Sequence, residues 1–249
     1  MRKFGLIGYP LSHSFSQKFF SEKFLKEHIE DCIYENYSLP SIDLLPSTIA
    51  SQPDLCGLNV TIPYKEQVIA FLHDSDDVVK RIGACNCIDI RQGKLYGFNT
   101  DVSGFEQSLK KNLQPHHAKA LILGTGGGSK AVEFVINKLG IEYKLVSRNP
   151  NSSSSTQIGY SRITASLLAT HTLIINTTPL GMFPNIDQYP PIPYNALTSN
   201  HFLFDLIYNP AKTLFLQKGE EQGATIQNGL EMLIIQAEES WKIWNRHDG

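Results

Sequence analysis

Leu121-Ile122-Leu123-Gly124-Thr125-Gly126-Gly127-Gly128-Ser129-Lys130-Ala131 is the stretch on which the fold turns. An apolar run of strand length, residues 120–123, meets a glycine-rich turn, and residues 130–139 then repeat apolar side chains at helical spacing. Glycines between a strand and a helix let phosphate oxygens approach backbone N–H groups at the positive end of the helix. A dinucleotide pyrophosphate fits such a turn, although Ser129 holds the third fingerprint position instead of Gly or Ala. A glycine-rich turn without a ligand has the same pattern. A P-loop needs Gly-Lys followed by Ser or Thr. Here Ser129 precedes Lys130 and Ala131 follows it, which argues against nucleoside triphosphate hydrolysis.

Outward from this turn, residues 143–146 form the next expected strand, ending at Ser147-Arg148-Asn149. An acidic side chain at that point holds a ribose 2′-hydroxyl, whereas a 2′-phosphate calls for Arg. Arg148 therefore favours NADP over NAD, the alternative being a solvated surface Arg. Residues 173–176 and 202–205 are further apolar runs of strand length, and residues 230–244 make a final amphipathic helix. Upstream, residues 4–8 read as a strand. Residues 16–28, with Phe19, Phe20 and Phe24 at helical spacing, read as a helix, and residues 33–37 and 57–61 as further strands. Strand, helix, strand is the grammar of a parallel sheet. The chain thus reads as α/β, with two α/β units in tandem that meet near residues 99–101.

The 249 residues include 22 Lys and Arg against 24 Asp and Glu, and no basic run exceeds Lys110-Lys111. Such a surface offers no electrostatic footprint for nucleic acid or an anionic membrane, so the expected partner is a small molecule. No stretch approaches the ~20 apolar residues that cross a bilayer, and the expected location is cytoplasmic. Cys32, Cys56, Cys85 and Cys87 are too few for a disulfide framework and are read as reduced thiols. No ligand cluster for a metal is present in the pattern, and His116-His117, in a polar stretch, is expected at the surface.

In the first unit, Asn59-Val60-Thr61-Ile62-Pro63-Tyr64-Lys65 sets polar side chains at the end of an apolar strand, where open α/β sheets bind ligands. Lys65 can donate or accept a proton there, or stand as a solvated charge. Gly83-Ala84-Cys85-Asn86, Gly97-Phe98-Asn99-Thr100-Asp101 and Ser12-His13-Ser14 add amide, hydroxyl and carboxylate groups on comparable turns.

Together with Asn176-Thr177-Thr178-Pro179-Leu180-Gly181-Met182, Asp205-Leu206-Ile207-Tyr208-Asn209-Pro210 and Gly229-Leu230-Glu231-Met232-Leu233-Ile234-Ile235-Gln236, these segments resemble the shikimate dehydrogenase family. They run in family order along nearly the whole chain. The resemblance implies a substrate domain, residues 1–100 with 227–249, and a Rossmann-like NADP-binding domain, residues 101–226, with the active site in the cleft. It also implies reversible NADPH-dependent reduction of 3-dehydroshikimate to shikimate, on the route to chorismate and the aromatic amino acids.

By the same resemblance Lys65 is the catalytic lysine and Asp101 its partner carboxylate. Ser12, Ser14, Asn59, Thr61, Asn86, Tyr208 and Gln236 match substrate-binding positions. Gly124, Thr125, Gly126, Gly127 and Gly128, with Ser147, Arg148 and Asn149, match the cofactor loops, while Leu206 and Gly229 border the nicotinamide and Asp77 matches a cofactor-edge acid. A monomer or a homodimer is implied. The chain departs from the family in lacking a second basic residue after Arg148 until Arg162 and in carrying Cys85 and Cys87 around Asn86. The competing readings are a quinate/shikimate dehydrogenase using NAD and a catalytically silent nucleotide-sensing module.

Overall fold

The computed structural model describes residues 1–11, 15–151 and 153–246. Its contacts divide the chain into two units, Met1–Ser103 with Gln236–Gly249, and Gly104–Ile235. The first contains β1 (Arg2–Gly8), α1 (Phe15–Lys26), β2 (Cys32–Ser38), α2 (Leu45–Ala50), β3 (Leu55–Val60), β4 (Asp74–Ser75), α3 (Asp77–Ile82), β5 (Cys87–Arg91) and β6 (Lys94–Phe98). After it come α4 (Thr100–Lys110), β7 (Lys119–Leu123), α5 (Gly127–Lys138), β8 (Glu142–Ser147), β9 (Gln157–Gly159), α6 (Ala165–Leu168), β10 (Leu173–Asn176), β11 (Phe202–Asp205), α7 (Leu214–Glu220), β12 (Thr225–Gln227) and α8 (Leu230–Trp244).

The sheet of the first unit runs β2-β1-β3-β5-β6-β4. Strands β2, β1 and β3 are parallel, as the strand-helix-strand pattern requires. Strand β5, however, pairs antiparallel with both β3 and β6, so this sheet is mixed and not parallel throughout. Between β5 and β6 this follows from a two-residue turn joining the paired Arg91 and Lys94, in which Gln92 and Gly93 take φ of 50° and 74°. Two successive positive φ values match the twist of a hairpin.

Strand β1 is buried on both faces, which explains its unbroken apolar run. Phe4 and Leu6 meet Phe20, Phe24, Tyr34 and Trp244 on one side, and Ile7 meets Leu58, Val68 and Ile88 on the other. Trp244 stacks on Phe4 with ring centroids 4.8 Å apart and donates its indole N–H to the Ile88 carbonyl at 2.9 Å. The backbone of Gly57 lies flat against the indole, where any side-chain carbon would overlap it.

The second sheet runs β12-β11-β10-β7-β8-β9, and every pair in it is parallel. The order reverses at β7 and β10, so the crevice beyond their carboxyl ends is the topological switch point where such sheets bind ligands. His117 departs from the expected surface position: it is 4% exposed, and its Nδ1 accepts the Gln114 N–H at 3.0 Å. Burial, helped by neighbouring His116, brings its pKa down to about 4, so the ring is neutral at ordinary pH. All four cysteines are free. Among the described residues no helix is long and apolar enough to cross a membrane and no cluster of metal-ligating side chains occurs.

Replacing Trp244 by Phe keeps most of the packing but leaves the Ile88 carbonyl buried without its donor. Trp244→Phe should therefore lower the unfolding free energy in urea by about 1–3 kcal/mol; an unchanged midpoint would mean that another donor replaces the indole.

Candidate active site

In the first unit the site begins where β3 ends. Thr61 N–H bonds the Ile7 carbonyl at 2.9 Å, and the chain then turns, with Tyr64 N–H on the Thr61 carbonyl at 2.9 Å. Tyr64 is buried and donates its hydroxyl to the Leu39 carbonyl, which anchors the turn. Lys65 is thereby held by its own backbone, its carbonyl accepting Cys85 N–H at 2.7 Å.

Asp101 arrives from the start of α4. Asn99 Oδ1 accepts the Val102 N–H at 3.3 Å in the manner of an N-cap, and Asn99 Nδ2 bonds the Ala84 carbonyl at 2.8 Å. A carboxylate in the first turn suits the positive end of the helix. Lys65 Nζ meets Asp101 Oδ2 at 2.7 Å, with side chains 20% and 12% exposed, so the pair is sheltered yet still reachable.

Beneath this pair lies an amide and hydroxyl network. Asn86 Oδ1 accepts Thr100 N–H at 2.7 Å, Asn86 Nδ2 donates to Thr100 Oγ1 at 3.0 Å, and Thr100 Oγ1 lies 3.2 Å from Ser240 Oγ and 3.5 Å from Gln236 Oε1. Asn59, expected among the substrate-binding residues, belongs to the same network. It is buried, accepts the Tyr34 hydroxyl, and directs both amide hydrogens inward, to Ser240 Oγ and the Asn86 carbonyl. These bonds tie Asn59 to Asn86 and to α8.

In the second unit a cavity of about 910 Å³ opens at the switch point, with walls formed by residues 124–126, 147–149 and 177–180. Its volume lies inside the roughly 300–1,000 Å³ span of small-molecule sites. Gly124 takes φ of 114°, and a side-chain carbon there would come within 2.7 Å of Thr177 Oγ1. At Gly126 and Gly127, by contrast, a side-chain carbon would meet nothing within 4 Å, so the N-terminus of α5 faces open space that a phosphate can fill. Ser129 is accommodated at the third fingerprint position because its hydroxyl turns back to the Gly126 carbonyl at 2.8 Å. A second hollow, of about 380 Å³, is bordered by Asn112, Gln227 and Glu231, whose side chains bond one another.

The structure brings Lys65 to Asp101, both Asn86 and Gln236 to Thr100, and Gly124, Thr125 and Gly126 to Ser147, Arg148 and Asn149 around one cavity. Gly128, Leu206 and Gly229 form a separate contact: a carbon on Gly128 would stand 3.4 Å from the Leu206 side chain, and one on Gly229 would overlap the Leu206 carbonyl. Tyr208 belongs to the second unit, half-buried, its hydroxyl pKa pushed up by burial. Asp77 is an exposed residue in the first turn of α3. Ser12 and Ser14 lie outside the described residues.

The sequence reading quoted Thr100 and Thr178 within motifs but gave neither a role, and it passed over Ser240. The usable signal for Thr178 was its position just past a parallel strand at the switch point. Asn176 Oδ1 accepts both the N–H and the hydroxyl of Thr178, at 3.0 and 2.7 Å, while Asn176 Nδ2 donates to Asp205 Oδ1 at 3.0 Å. Asp205, fully buried, also accepts Ile207 N–H and the Thr213 hydroxyl, and so ties the cavity wall to the N-cap of α7.

Comparison with known proteins adds four findings. The model of the shikimate dehydrogenase substrate binding domain matches residues 6–88. A shikimate dehydrogenase (NADP(+)) of Carboxydothermus hydrogenoformans is 36% identical over 96% of this chain and 90% of its own. Among solved structures, shikimate 5-dehydrogenase of Thermus thermophilus in complex with NADP(H) and shikimate matches with a TM-score of 0.86, 28% identity, and coverage of 98% of this chain and 94% of its own. The ligand-free 5-ketofructose reductase of a Gluconobacter strain matches with a TM-score of 0.81 and 26% identity, covering 99% of this chain and 93% of its own.

Burial pushes the Asp205 carboxyl up to about 7, against the three donors that favour its ionised form. A carboxyl whose folded pKa exceeds its unfolded value stabilises the fold fully below the unfolded value and loses that contribution as pH rises through the folded one. The stability of Asp205→Asn minus that of the wild type, read from urea unfolding, should therefore climb from about pH 4 to about pH 7 and level off beyond. A flat difference would show that the donors outweigh burial.

Proposed function

The chain belongs to the shikimate dehydrogenase family, and from that premise we propose that it interconverts 3-dehydroshikimate and shikimate with NADP(H). The observation that carries this reading is the Lys65–Asp101 contact of 2.7 Å, because reducing a ketone requires a proton at the oxygen that gains charge. NADPH supplies the reducing equivalent when bound. The Lys65 ammonium delivers the proton to the carbonyl oxygen and is left as the neutral amine, and in the reverse direction that amine takes the proton from the alcohol. Asp101 accepts one hydrogen from Nζ, which keeps the ammonium aimed, and its other oxygen is suited to accept a hydroxyl of the substrate.

A carboxylated, polyhydroxylated ring needs many directional partners. Thr61, Asn86 and Gln236 of the first unit and Tyr208 of the second supply amides and hydroxyls for it, with Ser12 and Ser14 assigned by the family pattern. The open space before Gly126 and Gly127 suits the pyrophosphate, and Arg148 the adenosine 2′-phosphate. Leu206 and Gly229 are assigned to the nicotinamide side and Asp77 to the cofactor edge, by family pattern alone. The first unit takes the substrate role and the second the dinucleotide role.

The NAD-linked quinate reading is not favoured: the relatives matched over nearly their full length are NADP(+) enzymes, and Ser147-Arg148-Asn149 contains no acid to hold a 2′-hydroxyl. A catalytically silent module has no need of the Lys65–Asp101 contact. Free thiols and a biosynthetic activity support a cytoplasmic setting, and we take the assembly to be a monomer or a homodimer.

Purified protein with shikimate and NADP should show rising absorbance of the reduced nicotinamide, with a smaller response to NAD and to quinate. Lys65→Ala should lower kcat by about 10² or more, the scale of a lost general acid and base, while KM for shikimate changes far less. A near-normal kcat would remove Lys65 from the role.

A further inference from the structure

We propose that the Tyr160 hydroxyl, side by side with Arg148, completes the subsite for the adenosine 2′-phosphate and stands where a second cation would otherwise be needed. The inference rests on the NADP reading above and adds a residue that selects the cofactor.

The placement follows from strand register. In the parallel pair β8 and β9, Leu145 faces Gln157, Val146 faces Ile158 and Ser147 faces Gly159. Arg148 and Tyr160 each stand one residue past these strands, Tyr160 as the first residue of a 3-10 turn, so the guanidinium and the phenol leave adjacent strand ends. Both line the same cavity of about 910 Å³ as Gly124 and Gly126. Among the described residues neither Arg148 nor the Tyr160 hydroxyl has a hydrogen-bond or ion-pair partner, which leaves the donors of both available to a ligand.

The chemistry of a phosphate monoester matches this pair. It carries about −1.5 to −2 charges near neutral pH and three terminal oxygens. One guanidinium engages two of them in a fork, so a third oxygen and part of the charge remain. Arg148 is the one Lys or Arg side chain on the described cavity wall, and Arg162, the next cation along the chain, is exposed and not on it. Tyr160 is partly buried, its ring packed against the core around Val146 and Ile163, so the hydroxyl is presented with little freedom to lose. Burial pushes its pKa up while Arg148 opposes that shift, so the phenol stays protonated and near the guanidinium. Asp187, the remaining charged side chain on the wall, repels phosphate and favours the corner made by Arg148 and Tyr160.

The test is calorimetric titration of the full chain with adenosine 2′,5′-bisphosphate and with 5′-AMP, for the wild type and Tyr160→Phe. The phenyl ring keeps the packing and removes only the donor. The variant should bind the bisphosphate about tenfold more weakly, the scale of one lost hydrogen bond to a charged group, with 5′-AMP affinity unchanged. Unchanged affinity for both ligands, or equal weakening of both, would overturn the assignment. A wild type that binds the two nucleotides equally well would instead overturn the NADP reading itself, and Arg148→Ala would then change nothing.

Discussion

An ammonium and a carboxylate 36 residues apart in the chain meet at 2.7 Å in a partly buried setting, and the first unit is arranged to make them meet. Neither charge is comfortable away from water. Removing one partner of a buried pair typically costs about 3–5 kcal/mol, because the other is left uncompensated. Such a contact is a poor source of stability, since well-packed apolar side chains of similar size serve as well or better. It makes sense as a means of holding a proton donor at one point.

The surroundings bear this out. Lys65 is positioned through the buried Tyr64 and through its own carbonyl, and Asp101 through the Asn99 cap and the bonds between Asn86 and Thr100. Asn59 and Ser240 close the network against α8, so a C-terminal helix helps to fix a loop far from it in sequence. In the second unit the corresponding device is the buried Asp205, which ties the cavity wall to α7 through Asn176 and Thr213. In both units, buried polar groups with satisfied bonds set where the exposed ones stand.

Much of this was legible in the sequence. The strands β10 and β11 and the helix α8 fall where their apolar patterns place them, and the glycine turn before α5 announces its phosphate-sized gap. What local pattern could not carry was pairing across distance. The hairpin of β5 and β6 turns at Gln92, whose φ is positive, a conformation that Gln seldom adopts and no propensity would suggest. His117 looked like a surface residue in a polar stretch and is buried, its ring beside that of Phe202, which is 85 residues away. Asn59 carried the signature of a ligand group, yet its partners Tyr34 and Ser240 are 25 and 181 residues away. Tyr160 became significant only once β9 was seen to run beside β8.

The central claim is that Lys65 and Asp101 act as one unit, and a double-mutant cycle on kcat/KM for shikimate oxidation tests it most directly. With Lys65→Ala, Asp101→Asn and the double variant, the account predicts strong coupling: once either side chain is replaced, replacing the other costs little more. If the two losses simply multiply in the double variant, the residues act independently and the account is wrong.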